Sequence, residues 1–219
     1  MSDRLTPNLL VQAYARGLFP MAESRDDTRL FWVDPEYRGV LRLKGFHVPR
    51  RLRRTVRQGP FEVTHDRAFE EVIRACGRLD PRRGRYDSWI NEEIVRAYGS
   101  LFRMGLAHSV ECWRDGELVG GLYGVSMKAA FFGESMFSRA TDASKIALVH
   151  LVARLIAGGY RILDSQFVNE HLKQFDIEEI SRSEYLLRLD AALLEDADFE
   201  VLPAGTGGAE VLAVIDAAV

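Results

Sequence analysis

The chain predicts an α+β fold, one sheet with helices on its faces, and three observations carry that expectation. Residues 109–113 and 118–123 alternate as strands and flank Asp115-Gly116, a dipeptide suited to a tight hairpin turn. Residues 143–157 form a long amphipathic helical pattern that stops at Gly158-Gly159. Short apolar segments at 129–132 and 161–166 bracket that helix, so the order is hairpin, strand, helix, strand, helix. The 219 residues suffice for one large domain or two small ones, and 47% apolar with 28% charged residues marks a globular chain.

The elements follow in chain order. Thr6 can cap a helix that Pro7 opens and Gly17 closes. Residues 30–32 and 40–43 read as short strands, 49–58 as an arginine-rich helix, and 61–64 as a strand. Asp66 is expected to cap a helix through about residue 75. Residues 76–87, with two glycines, a proline and four arginines, read as a loop. Asn91 caps a helix through Arg103 that ends at Gly105. After the hairpin, strand, helix and strand come a short helix at 169–175, a strand at 178–181 and a last helix at 183–194. The Gly- and Ala-rich tail after Pro203 gives no clear pattern.

Composition excludes several functions. No apolar run approaches the roughly 20 residues needed to span a bilayer. The N-terminus lacks the basic-then-apolar layout of a signal peptide, so a cytoplasmic protein is expected. Cys76 and Cys112 stand in no metal or redox spacing and read as reduced. Net charge is only −3, but residues 38–85 hold fourteen Lys or Arg against five Asp or Glu. That segment carries +9 and the remainder −12. Arg50, Arg51, Arg53, Arg54 and Arg57, then Arg82, Arg83 and Arg85, are the densest part. Such a patch suits phosphates, because each neutralised phosphate releases a condensed counterion. Charge alone does not separate that use from a solvated helix face.

No phosphate-binding loop, zinc-protease helix or nucleophile-elbow serine occurs, and Gly120-Gly121-Leu122-Tyr123-Gly124 matches no dinucleotide fingerprint. Two apolar segments instead contain isolated polar groups. Glu134 sits within Phe131-Phe132-Gly133-Glu134-Ser135-Met136-Phe137, and a bare carboxylate there needs a partner or a function. In Ile162-Leu163-Asp164-Ser165-Gln166, a regular strand places Asp164 and Gln166 on one face, where they could share a hydrogen bond. Patterning by itself favours structural roles: Glu134 paired with Lys145 or an arginine, and Asp164 and Gln166 satisfied at a strand end.

A series of motifs resembles the leucyl/phenylalanyl-tRNA–protein transferases of bacteria. It begins with Tyr14-Ala15-Arg16-Gly17-Leu18-Phe19-Pro20, then Trp32, Pro35, Arg38 and Trp89-Ile90. It continues with residues 105–113 and 118–124, Phe132-Gly133-Glu134-Ser135-Met136-Phe137-Ser138, Ala143-Ser144-Lys145 and Leu163-Asp164-Ser165-Gln166. The resemblance covers roughly residues 5–190 in one order. It implies a small N-terminal domain (residues 1–60 here) and an acetyltransferase-like (GNAT) catalytic domain (61–219). It implies transfer of Leu or Phe, less readily Met, from aminoacyl-tRNA to proteins beginning with Arg or Lys, creating an N-degron for protein degradation. No cofactor, metal or membrane is implied, and a monomer is expected.

Onto this sequence the resemblance carries Asp164, Gln166 and Glu134 as catalytic residues. Asp164 would orient Gln166, Gln166 would contact the amine or the carbonyl, and Glu134 with Asp164 would favour a cationic acceptor. Leu122, Met136, Leu148, Leu151 and Leu163 match the donor side-chain pocket; flexible Met and Leu side chains would admit Leu, Phe and Met. Trp32, Trp89 and Phe131 are candidates to stack on the terminal adenosine, with core packing as the alternative. Arg50, Arg53, Arg54 and Arg57 would share one helix face along the tRNA backbone, joined by Arg82, Arg83 and Arg85. The chain departs from the pattern at Met21, Ser88, Ser165, Lys128 and the run Lys173-Gln174-Phe175-Asp176-Ile177-Glu178-Glu179. Lys128 stands where Gly is frequent, and Asp176-Ile177 where Gly-Ala is usual; Asp tolerates a left-handed bend better than most residues.

Two other readings compete. An acetyl-CoA enzyme would open the 143–157 helix with a pyrophosphate-binding glycine turn, yet the helix opens with Ala143-Ser144-Lys145. An RNA-binding module explains the arginines but leaves Glu134 and Asp164 unexplained.

Overall fold

The computed structural model describes residues 5–24, 27, 29–78 and 88–218. The expected loop at 76–87 and the candidates Arg82, Arg83 and Arg85 thus fall largely or wholly outside the described residues. The fold is α+β with a small N-terminal unit. That unit is α1 (Pro7–Tyr14) and a two-stranded antiparallel sheet of β1 (Phe19–Ala22) and β2 (Leu30–Val33). Thr6 Oγ1 accepts the N–H of Leu9, and Gly17 takes φ +78° at the exit, as expected. β1 gave no signal in sequence, since four residues with an internal proline show no alternation.

The larger body is a seven-stranded sheet in the order β4-β5-β6-β7-β8-β3-β9. Its strands are β3 (Tyr37–Leu41), β4 (Glu62–His65), β5 (Ala107–Arg114), β6 (Glu117–Met127), β7 (Ala130–Ser138), β8 (Ile162–Gln166) and β9 (Glu178–Ser181). The β5–β6 turn places Asp115 at φ +53° and Gly116 at φ +77°, the geometry whose twist matches antiparallel strands. Among the described residues only β7 and β8 pair in parallel, and α5 (Ala143–Ala157) crosses between them.

Alternate strand residues feed two separate cores, as the pleat requires. Tyr123 and Phe132 join one with α3 (Phe69–Cys76), α4 (Glu92–Arg103) and α7 (Arg182–Leu193). Leu122 and Phe131 join the other with α5, α2 (Arg50–Gln58) and α8 (Gly208–Ala217). The molecule is therefore helices, sheet, helices. The start of α5 lies so close to β6 that a Cβ at Gly120 would fall 2.4 Å from the Ala143 Cβ.

Several expectations need correction. The sequence boundary at residue 60 cuts through the larger body, because β3 pairs with β8 and β9, and α2 packs on α5 and α8. The small unit ends near residue 36. Asp66 does not cap α3; it takes φ +56° and accepts hydrogen bonds from the Ser109 N–H at 2.8 Å and from His108 Nδ1–H at 2.6 Å. β7 continues six residues past the expected end at 132 and so carries Glu134 on the sheet. The segment after Pro203, which has no clear sequence pattern, folds as α8, and a 3-10 turn (Phe199–Val201) precedes it. Lys128 and Asp176 both take φ +54°, the left-handed geometry expected for Asp176 and the reason glycine suits such turns.

Candidate active site

Two shifts in strand register build the site. Across β6–β7, Tyr123 faces Ser135 while Gly124 faces Gly133, so Glu134 is the extra residue and has no cross-strand partner. Across β3–β8, Gly39 faces Gln166 while Val40 faces Asp164, so Ser165 is extra. Bulges re-aim side chains where a regular pleat cannot. Gln166 then takes φ +61°, an uncommon geometry for a residue with a side chain.

Asp164 is fully buried and accepts four hydrogen bonds. Arg38 donates from Nε at 2.9 Å and from a terminal nitrogen at 2.6 Å, the Tyr185 hydroxyl at 2.7 Å, and the Gln166 backbone N–H at 2.8 Å. Arg38, 2% exposed, also donates to the Gly17 carbonyl and lies between the rings of Phe19 and Tyr185. Burial opposes the Arg38 charge, but the Asp164 hydrogen bonds and charge outweigh it and raise its pKa. Burial and the Asp164 charge push the Tyr185 hydroxyl up, so it remains a donor. The expected link from Asp164 to the Gln166 side chain is replaced by one to its backbone. Asp164 therefore fixes the bend that presents Gln166.

Glu134 is half-buried and paired with tyrosines rather than with Lys145 or an arginine. Tyr14 donates to Oε1 at 2.6 Å and Tyr98 to Oε2 at 3.1 Å, and the two hydroxyls also touch each other. Lys145 instead lies 3.4 Å from Asp142. Burial raises Glu134 to about 7; the tyrosine hydrogen bonds and Arg38 oppose the rise, and the Asp164 charge adds to it. Burial, with the Glu134 charge, pushes both tyrosines well above 10, so they stay protonated. Gln166 Nε2 stands 3.5 Å from Glu134 Oε1. With Asp164 neutralised by Arg38, Glu134 supplies whatever negative character the centre has.

Both segments open into one cavity of about 1040 Å³. Its walls include Glu134, Asp164 and Gln166 together with all five expected pocket residues, Leu122, Met136, Leu148, Leu151 and Leu163. Sequence reasoning thus brought eight residues to one place. The aromatic candidates are dispersed. Trp32 is 37% exposed on β2 and free to stack, whereas Trp89 is half-buried against the first core. Phe131 is fully buried, stacked on Phe199 and edge-on to Tyr160, and offers no face to a base.

On α2, Leu52 and Val56 face the core and Arg50, Arg51, Arg54 and Arg57 face solvent. Arg53 does not belong to the free set: both terminal nitrogens meet the Asp216 carboxylate at 2.8 Å. Arg51 reaches Asp142, beside the cavity wall at Ser144. A separate cluster, Asp66, His108 and Glu200, could in principle hold a cation. Its atoms already pair with one another and with His65, next to the Arg154 guanidinium, and they pin the 3-10 turn to the sheet. Tyr14, Tyr98, Tyr185 and the pairing role of Arg38 escaped the sequence reading. Their contacts span 21 to 126 residues, so no local pattern marks them.

The cavity joins an apolar side-chain pocket to a carboxylate–amide centre on an α+β sheet, the parts that a group-transfer reaction needs. The family model for leucyl/phenylalanyl-tRNA protein transferase matches residues 40–190, and the model for its N-terminal domain matches residues 3–36. The chain is 62% identical over 196 residues to the leucyl/phenylalanyl-tRNA–protein transferase of Paramagnetospirillum magneticum, covering 90% of this chain and 93% of that one. To that of Caulobacter vibrioides it is 59% identical over 218 residues, the whole of both chains. To one from Rhodopseudomonas palustris it is 54% identical over 216 residues, 98% of this chain and 93% of that one. The chain belongs to the leucyl/phenylalanyl-tRNA–protein transferase family. The break between the two matches, residues 37–39, falls within the first residues of β3, where the chain enters the large sheet.

Proposed function

We propose that this chain moves Leu or Phe, and less readily Met, from aminoacyl-tRNA to proteins beginning with Arg or Lys, in the cytoplasm. The observation that carries this reading is the junction, in one cavity, of the five-residue apolar pocket with Glu134 and Gln166. The donor side chain fills the pocket, and its ester carbonyl lies at the polar end. The protein's α-amine attacks that carbonyl, the C–N bond forms, and the bond to the ribose oxygen breaks. The ester is already activated, so the chain mainly positions the partners and handles a proton. Gln166 orients the amine or the carbonyl. Glu134, poised at about 7, accepts the proton that the amine loses, and the departing ribose oxygen is protonated in turn. Its charge also favours a cationic acceptor.

Trp32 is the remaining exposed platform for the terminal adenosine, and Arg50, Arg54 and Arg57 follow the acceptor-stem phosphates. We read the catalytic body as acetyltransferase-like (GNAT). An antiparallel run of strands meeting one parallel pair at a helical crossover supports that reading. A wall at Gly120–Ala143 in place of a glycine turn argues against acetyl-CoA. Mass spectrometry of peptides beginning with Arg, Lys or Ala, incubated with leucyl-tRNA, tests acceptor choice. One added leucine on the Arg and Lys peptides alone is expected; equal modification of the Ala peptide would refute it.

A further inference from the structure

His171 stands on the rim of the cavity in α6 (Glu170–Lys173), a short turn capped by Asn169. Its backbone is held firmly. Leu172 beside it is anchored in the second core, and the Gln174 side chain donates to the His171 carbonyl at 2.6 Å. The ring's charged neighbours are Lys145 and Asp142 at the start of α5, not Glu134 or Asp164. Burial and Lys145 lower its pKa, with Asp142 opposing, so the ring is neutral near pH 7. Its Nε2 is shielded from solvent and has no hydrogen-bond partner. A buried polar atom left unpaired costs free energy, and such atoms are retained where a ligand satisfies them.

The place of the ring limits what that ligand is. His171 lines the same cavity as Leu148, which lies one turn along α5 from its charged neighbour Lys145, so the ring faces a space that also holds the apolar pocket. A duplex stem cannot enter a cavity of this size, whereas the aminoacylated terminal nucleoside can. We propose that His171 is a donor-binding residue whose Nε2 hydrogen-bonds the aminoacyl-adenosine end of the tRNA and holds it over the apolar pocket. The proposal rests on reading this cavity as the donor site. It assigns affinity for the donor to a side chain outside the Glu134, Asp164 and Gln166 set.

The test uses the full chain, a non-hydrolysable leucyl-adenosine amide, leucyl-tRNA, and the variants His171→Leu and His171→Gln. His171→Leu is expected to fold with an unreduced thermal midpoint and to bind the amide about tenfold more weakly. Its KM for leucyl-tRNA should rise by a similar factor with kcat little changed. His171→Gln keeps a hydrogen-bonding group and should recover most of the affinity. Wild-type affinity in His171→Leu would overturn the proposal, as would an equal loss in both variants. If wild type itself neither bound the amide nor transferred leucine, the donor reading of the cavity would fall, and this proposal with it. If wild type does both and His171→Leu does both equally well, His171 alone is removed and the donor reading stands.

Discussion

Replacing Glu134 by Gln separates the cost of its charge from its use. The carboxyl is raised from an ordinary 4.5 to about 7, chiefly by burial. The unfolded chain releases its proton near 4.5, whereas the folded chain keeps it until about 7. Glu134 is thus neutral in both states at low pH, and its ionisation increasingly opposes folding as pH rises between those values. At about 1.4 kcal/mol per pH unit, the full penalty above pH 7 is about 3 kcal/mol, and solvent in the open cavity screens part of it. Glutamine titrates nowhere in this range and can still pair with the Tyr14 and Tyr98 hydroxyls. Denaturant unfolding of both proteins from pH 4 to pH 8 should show Glu134→Gln gaining about 2–3 kcal/mol relative to wild type by pH 8. That corresponds to about 4–12 °C in thermal midpoint. Transfer by the variant should fall, and the limb of the rate profile near pH 7 should vanish. A stability difference independent of pH, or one that favours wild type at pH 8, would refute the account of Glu134.

Three further outcomes follow from the same geometry. Asp164→Ala leaves the buried Arg38 guanidinium without its counter-ion and should cost about 3–5 kcal/mol in denaturant unfolding, so its loss of transfer is to be compared with its loss of fold. Met136→Ala enlarges the apolar pocket and should change the Leu:Phe:Met transfer ratio by about 1–3 kcal/mol; an unchanged ratio would put the donor side chain elsewhere. Replacing the exposed Arg50, Arg54 and Arg57 by Ala should raise KM for every aminoacyl-tRNA alike and flatten the salt dependence by about 0.7–0.9 in log–log slope for each phosphate no longer neutralised. Transfer from a short aminoacyl-adenosine donor should persist in that variant, and normal use of full-length tRNA across a salt series would make the patch a solvated surface.

Elements with a strong local signature were legible in the sequence. The Asp115-Gly116 turn, the Asn91 cap, the 143–157 helix and the basic α2 all form where turn chemistry and periodicity put them. Non-local pairing was not legible. β3 enters the large sheet between β8 and β9, partners more than 100 residues away, which no window of sequence reveals. The same limit applied at the site. Glu134, Asp164 and Gln166 stood out as polar groups in apolar runs, but the bulges at Glu134 and Ser165 depend on the facing strands. The tyrosine pair on Glu134 and the Arg38 pair on Asp164 come from elements far along the chain. Arg53 looked equivalent to its neighbours because only the fold of the tail brings Asp216 to it.

The claim that this cavity passes an aminoacyl group from tRNA to a protein amine can be tested by offering the two donors side by side. The protein is mixed with a substrate protein beginning with Arg and either radiolabelled leucyl-tRNA or radiolabelled acetyl-CoA. The account predicts label on the substrate's N-terminus from leucyl-tRNA and none from acetyl-CoA. Label from acetyl-CoA, or binding of leucyl-tRNA with no transfer, would contradict it.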